Sequence, residues 1–163
     1  MLFVLTLCAG LGCGLIAGVF FAFSAFVMKA FARLPPAEGI AAMQSVNITV
    51  LNPWFMTAFF GTAAACVLAV LYSLSRWNEP GAAYLLAGGV LYLAGSLLVT
   101  MVFNVPRNEA LAKLARGDPG SASRWAGYVA SWTAWNHVRT AAALAAAALL
   151  TIALYLSRDG ATA

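Results

Sequence analysis

Apolar residues in this chain come in four long blocks separated by short polar stretches. The blocks run from about Leu2 to Phe31, Pro53 to Leu74, Ala82 to Phe103 and Ala126 to Leu156. A span needs roughly 20 apolar residues to cross a hydrocarbon core of about 30 Å, and all four blocks reach that length. Each must be helical, because an isolated strand leaves its backbone groups unpaired in lipid. The pattern predicts an all-α fold, an up-and-down four-helix bundle in the membrane, forming one domain over residues 1–163. The first block lacks a basic leader and outruns a signal-peptide core, so it reads as a span.

The stretches between the blocks carry their own signals. Residues 35–52 are less apolar, and Ala41, Met43 and Val46 suggest a short amphipathic or half-buried segment. Asn52-Pro53 marks the start of span two, since asparagine caps helices and proline suits the first helical position. Pro80-Gly81 closes a short turn that makes spans two and three antiparallel neighbours. Pro106 is expected to stop or kink span three. In span one, Gly10, Gly14, Gly18 and Ala22 share one face. Small residues at that spacing let a second backbone approach closely. We read them as packing within the bundle, with a homo-oligomer through Gly10, Gly14 and Gly18 as the alternative.

Composition supports a bilayer environment. The chain is 63% hydrophobic and 9% charged, too few charges to cover a soluble domain of this size. The net charge of +4 is spread around the span ends and forms no basic face, so no nucleic-acid partner is expected. Lys29, Arg33, Arg107, Lys113, Arg116 and Arg124 lie on one side, against Arg76 and Arg158 on the other. That asymmetry places the longer loops in the cytoplasm and both termini outside, as expected for a cell (inner) membrane. Cys8, Cys13 and Cys66 all fall inside spans and read as small packing residues. With one histidine and no clustered carboxylates, no protein-bound metal is expected.

Span four holds the candidate chemistry. At 3.6 residues per turn, Trp125, Tyr128, Trp132, Asn136 and Arg139 form one stripe, with Trp135 on its flank. An arginine at mid-span costs at least about 2.5 kcal/mol on insertion scales, so Arg139 should face the bundle interior or a wet cavity. None of Glu38, Glu79, Glu109, Asp118 and Asp159 lies within a span. Either a loop carboxylate folds inward, Glu109 first, or Arg139 is held by asparagines and carbonyls and an anionic ligand completes the pair. The plain alternative is an arginine that ties helices together. His137 is the only histidine and the obvious general base. It is turned about 160° from Arg139 around the helix and so need not face the same cavity. Asn47, Asn52, Asn104 and Asn108 flank the cytoplasmic span ends, and Trp54 and Phe55 open span two. Together these could wall a pocket that opens on the loop side and deepens toward Asn136 and Arg139. Helix capping and an interfacial aromatic belt would explain Asn52 and Trp125 equally well, but Asn136 and Trp132 lie too deep for that.

An ordered set of short motifs gives a resemblance over nearly the whole chain. It comprises Phe23-Ser24, Val27-Met28, Met43-Gln44, Asn47, Asn52-Pro53 with a following aromatic, Asn104-Val105-Pro106 with Asn108, and Trp135-Asn136-x-Val-Arg139-Thr140. In these the chain resembles the anthrone oxygenase-like family of small integral membrane proteins. The resemblance implies a cofactor-independent oxygenase, needing O2 and a flat hydrophobic aromatic molecule. Arg139 and Asn136 would stabilise an oxyanion, His137 or water would take the proton, and Trp132 and Trp135 would stack on the substrate. Resemblance does not by itself carry activity. A non-enzymatic carrier of a quinone-like molecule and a structural membrane subunit are the rival classes.

Overall fold

The four apolar blocks fold as α1 (Leu2–Phe31), α3 (Pro53–Ser75), α4 (Ala82–Ala112) and α5 (Ser121–Asp159), with a shorter α2 (Pro36–Thr49) after the first. They are seen in a computed structural model that describes residues 2–115, 118 and 120–159, and no strand occurs among these. Even the shortest of the four blocks gives about 34 Å of helix at 1.5 Å per residue, enough to cross the hydrocarbon core. The chain is a helical membrane bundle and an integral membrane protein. Of the basic residues that set the expected orientation, Arg116 and the side chain of Arg158 lie outside what is described.

In the bundle α1 packs on α5 and α3, and α4 packs on α3 and α5. Close approach depends on small residues, but only in part on the ones the sequence pattern suggested. A Cβ at Gly14 or Gly18 would meet nothing within 4 Å, so of that face of α1 only the Gly10 end, against Leu150, packs inside the bundle. Gly12 does the packing instead, with no room for a Cβ beside Thr62 of α3. Along α4, Gly88 lies against Leu150 and Ala146, Gly89 against the Cys66 carbonyl, and Gly95 against Ala142. Cys13 and Cys66 are fully buried in the same core, whereas Cys8 is exposed. Gly81 takes a left-handed φ of 85°, which turns the chain from α3 into α4 beneath the Ala153 carbonyl.

Pro106 does not stop the third span, which runs on to Ala112. A proline removes one helical N–H and crowds the carbonyl of the preceding turn. Here the turns before it, over Thr100–Asn104, are already widened to the π-helical pattern, which makes room for the ring. Two further π-helical segments lie at Phe23–Val27 in α1 and Leu91–Leu98 in α4.

The half-buried segment predicted between spans one and two is α2. It buries Gly39, Ile40 and Met43 and exposes its other face. Gln44 fastens it: the side-chain amide donates to the carbonyls of Leu111 (2.9 Å) and Leu114 (3.1 Å). Carbonyls at a helix C-terminus lack intrahelical donors, so Gln44 closes the end of α4 as it docks α2. Beyond the Ala82–Leu98 part of α4, α3 and α4 separate, and α4 leans on α5 and α2 instead.

Candidate functional site

The separation between α3 and α4 leaves a cavity of about 640 Å³ walled by all five helices. Its apolar surface comes chiefly from Phe20 and Phe23 of α1, Met43 and Val46 of α2, and Phe55 and Phe59 of α3. Phe60 and Met101, both about half exposed, stand on its rim. Its polar groups are few: Gln44, Asn47, Thr100, Asn108, Glu109 and Arg139. A largely apolar pocket with a few convergent polar groups is the usual build of a small-molecule site.

All five stripe residues of α5 are buried: Trp125, Tyr128, Trp132, Asn136 and Arg139. Arg139 sits on the cavity wall at 4% exposure. Its Nη2 donates to Asn136 Oδ1 at 2.6 Å and its Nη1 to Thr100 Oγ1 at 3.1 Å. The guanidinium carbon lies 4.1 Å from the centre of the Phe20 ring and 5.1 Å from that of Trp132. Both distances fall within the range of attraction between a cation and an aromatic face. No carboxylate pairs with it among the described residues, where the one ion pair is Arg76–Glu79 at the far turn. Its Nε is buried and without a partner. Glu109 lines the cavity but does not fold onto Arg139.

Asn136 is fully buried and lies behind Arg139, not on the cavity wall. Its Nδ2 donates to the Phe20 carbonyl and to Ser24 Oγ, both at 2.7 Å. Thr140 donates to the Asn136 carbonyl at 2.8 Å, so the 3.1 Å contact between the Ser24 and Thr140 hydroxyls takes its proton from Ser24. The loop of bonds closes with every Asn136 side-chain group satisfied. It ties α5 to the π-helical turns of α1 and aims Oδ1 at Arg139. π-helical turns recur at functional sites, and those of α1 and α4 supply Ser24 and Thr100.

Asn108 Oδ1 accepts from Trp132 Nε1 (2.8 Å) and from the Tyr128 hydroxyl (2.9 Å). Asn104, nearly fully buried, donates to the Trp132 carbonyl at 3.3 Å and does not line the cavity. Asn47 lines it from α2, with a buried Nδ2 that has no partner.

The other sequence candidates lie elsewhere. His137 is exposed on the opposite side of α5, in a separate hollow beside Lys29 and Thr133, so it does not meet Arg139. Trp135 stacks on Phe103 with ring centres 3.5 Å apart, outside the cavity. Trp54 is 87% exposed and points away, and the next residue, Phe55, reaches the cavity in its place. Asn52 caps α3, accepting from the Phe55 N–H at 3.0 Å and donating to the Thr49 carbonyl. Trp132 does reach the cavity, but Phe23, Tyr128 and Arg139 already pack around its indole. Thr100, Phe20 and Phe59 were not singled out from the sequence, and Phe23 entered only as part of the Phe23-Ser24 motif. Thr100 had a signal, as a hydroxyl deep in an apolar span; the phenylalanines had none beyond their inward register.

No curated protein and no solved structure matches the chain. A family described as anthrone oxygenase matches residues 54–149, which is more than half of the chain. The match runs from the start of α3 into α5 and takes in Thr100, Asn104, Asn108, Trp132, Asn136 and Arg139. This chain therefore belongs to the anthrone oxygenase family.

Proposed function

We propose that the cavity binds a flat aromatic ketone of the anthrone class and that the protein oxygenates it to the quinone without a cofactor. The observation that carries this reading is Arg139: a buried guanidinium on an apolar cavity wall with no carboxylate among the described residues. An uncompensated cation in a dry site favours an anion placed beside it. An anthrone becomes one when it loses the acidic proton of its central CH2. The negative charge then spreads onto the keto oxygen, where Arg139 would hold it.

The reaction balances with O2 alone. The proton leaves to a base and the carbanion adds to O2, forming a C–O bond. The resulting peroxide takes up a proton and loses water to leave the second carbonyl. One anthrone and one O2 give one anthraquinone and one water. With His137 outside the cavity, the base is water reaching it past Glu109, the one carboxylate among its lining residues. Phe55 and Phe59, stacked at 5.9 Å, offer the aromatic wall that Trp132 and Trp135 do not. Asn136 acts through Arg139 as a positioning residue.

The longer loops face the cytoplasm and both termini face outward, which turns the polar end of the cavity toward cytoplasmic water. Oxygen uptake by purified protein with a small panel of anthrones tests the reaction. Stoichiometric uptake with quinone formation, lost in Arg139→Met, is expected. Saturable binding without uptake would make the protein a carrier of such molecules instead.

A further inference from the structure

Asn108 holds a fixed orientation on the cavity wall. The indole N–H of Trp132 can only donate, so the amide face turned to it must be the oxygen. The Tyr128 hydroxyl donates to the same oxygen. Its Nδ2 therefore points away from both, and no described residue accepts from it. Unlike the Asn47 amide nitrogen, which is buried and unpartnered, the Asn108 nitrogen is not among the buried orphans. The cavity wall thus carries amide donors from α2 and α4 that the protein leaves unused.

These donors are remote from Arg139. Eight residues of α4 separate Asn108 from Thr100, where the guanidinium is anchored, or roughly 12 Å of helix axis. Trp132 bridges the interval, with Arg139 beside its ring and Asn108 at its nitrogen. A ligand held at Arg139 through one oxygen meets Asn108 only through a second oxygen on the far side of its ring frame.

We infer that Asn108 is a specificity residue: its free amide N–H selects ring systems carrying a second acceptor oxygen on the ring remote from Arg139, with Asn47 as a second donor. The inference rests on the proposed anthrone site. A site with an unused donor favours the ligand that accepts from it over the isostere that does not. The ligand class is a fused aromatic ketone bearing a further keto, ether or phenolic oxygen.

The test is anaerobic binding of two probes to the full-length protein in detergent or nanodiscs, read by tryptophan fluorescence. One is an anthrone with a methoxy group on a terminal ring, scanned over the ring positions. The other is the ethyl analogue of the same shape, in which CH2 replaces the acceptor oxygen. Wild type should prefer the methoxy probe at its best position by at least about tenfold. Asn108→Asp keeps the oxygen that Trp132 and Tyr128 require and exchanges the donor for a second acceptor. It should lose the preference, whatever its affinity for the ethyl probe. Asn47→Leu should reduce the preference without abolishing it. Equal binding of both probes to wild type, or a preference that survives Asn108→Asp, overturns the inference and leaves the anthrone site standing. Binding of neither probe to wild type overturns the site and the inference together.

Discussion

A guanidinium inside a bilayer must find its stabilisation locally, and Arg139 finds it without a counter-charge among the described residues. Two of its five donors are taken by Asn136 and Thr100, and two aromatic rings flank its charge. Arg139→Met should therefore leave the bundle folded, since it removes a buried charge together with its desolvation cost. Two acceptors lose a donor, Thr100 Oγ1 and Asn136 Oδ1, and the second is left bare at roughly 1–3 kcal/mol. Binding of an anthrone probe, followed by fluorescence, should weaken at least about tenfold, or 1.4 kcal/mol. Arg139→Lys should be impaired as well, because an ammonium cannot serve Asn136, Thr100 and a ligand from one planar fork. Wild-type binding in Arg139→Lys, coupled with misfolding of Arg139→Met, would make the residue a structural tie. The stripe that contains Arg139 was legible because it obeys a single helical period. Which member of it faces the cavity was not. Asn136 lies behind Arg139 because Ser24 and the Phe20 carbonyl, both on another helix, claim its amide. Periodicity places residues on a face, but bonds across helices decide which of them are free.

The same limit appears at the scale of elements. The number of spans, the α2 segment and the Asn52 cap follow from block length, proline and asparagine, all local signals. Helix contacts are not local. Four small residues at helical spacing in α1 suggested a packing face, yet Gly14 opens onto empty space while the neighbouring Gly12 meets Thr62. Gly14→Leu should accordingly leave thermal stability in detergent unchanged. Gly12→Leu should destabilise by about 1–3 kcal/mol, the usual cost of overpacking. A fall in stability for Gly14→Leu would mean that this face packs on a second copy. At Pro106 the stop, one of the two expected outcomes, does not occur, since the rule that proline ends helices takes the preceding turns to be ordinary α-helix, and here they are π-helical. Gln44→Leu leaves the Leu111 and Leu114 carbonyls without their side-chain donor and removes the tie between α2 and α4. Hydrogen exchange over residues 36–49 should rise while exchange in α5 stays low. Unchanged protection of α2 would show that its apolar face alone holds it against the cavity.

For the whole molecule, the orientation decides which compartment the cavity serves. The two ends of the bundle differ. Lys29, Arg33, Lys113 and Arg124 are exposed at the end that carries α2 and the polar part of the cavity. Arg107 contributes less to the asymmetry than its position suggests, because its guanidinium is turned onto the Phe103 carbonyl and Ser131. Arg76 is exposed at the other end, where it pairs with Glu79. Discounting Arg107 leaves the basic excess at the α2 end, so by the positive-inside rule that end is still the one expected in the cytoplasm. Single cysteines test this in a Cys8→Ala background, where Cys13 and Cys66 are buried and silent. Asn78→Cys, exposed in the turn between α3 and α4, should react with a membrane-impermeant maleimide on intact cells. Asp118→Cys, between α4 and α5, should react only after lysis. The reverse pattern would turn the cavity outward. The proton released from an anthrone, and the quinone formed, would then pass to the outer compartment, and Glu109 would meet external water in place of the cytoplasm.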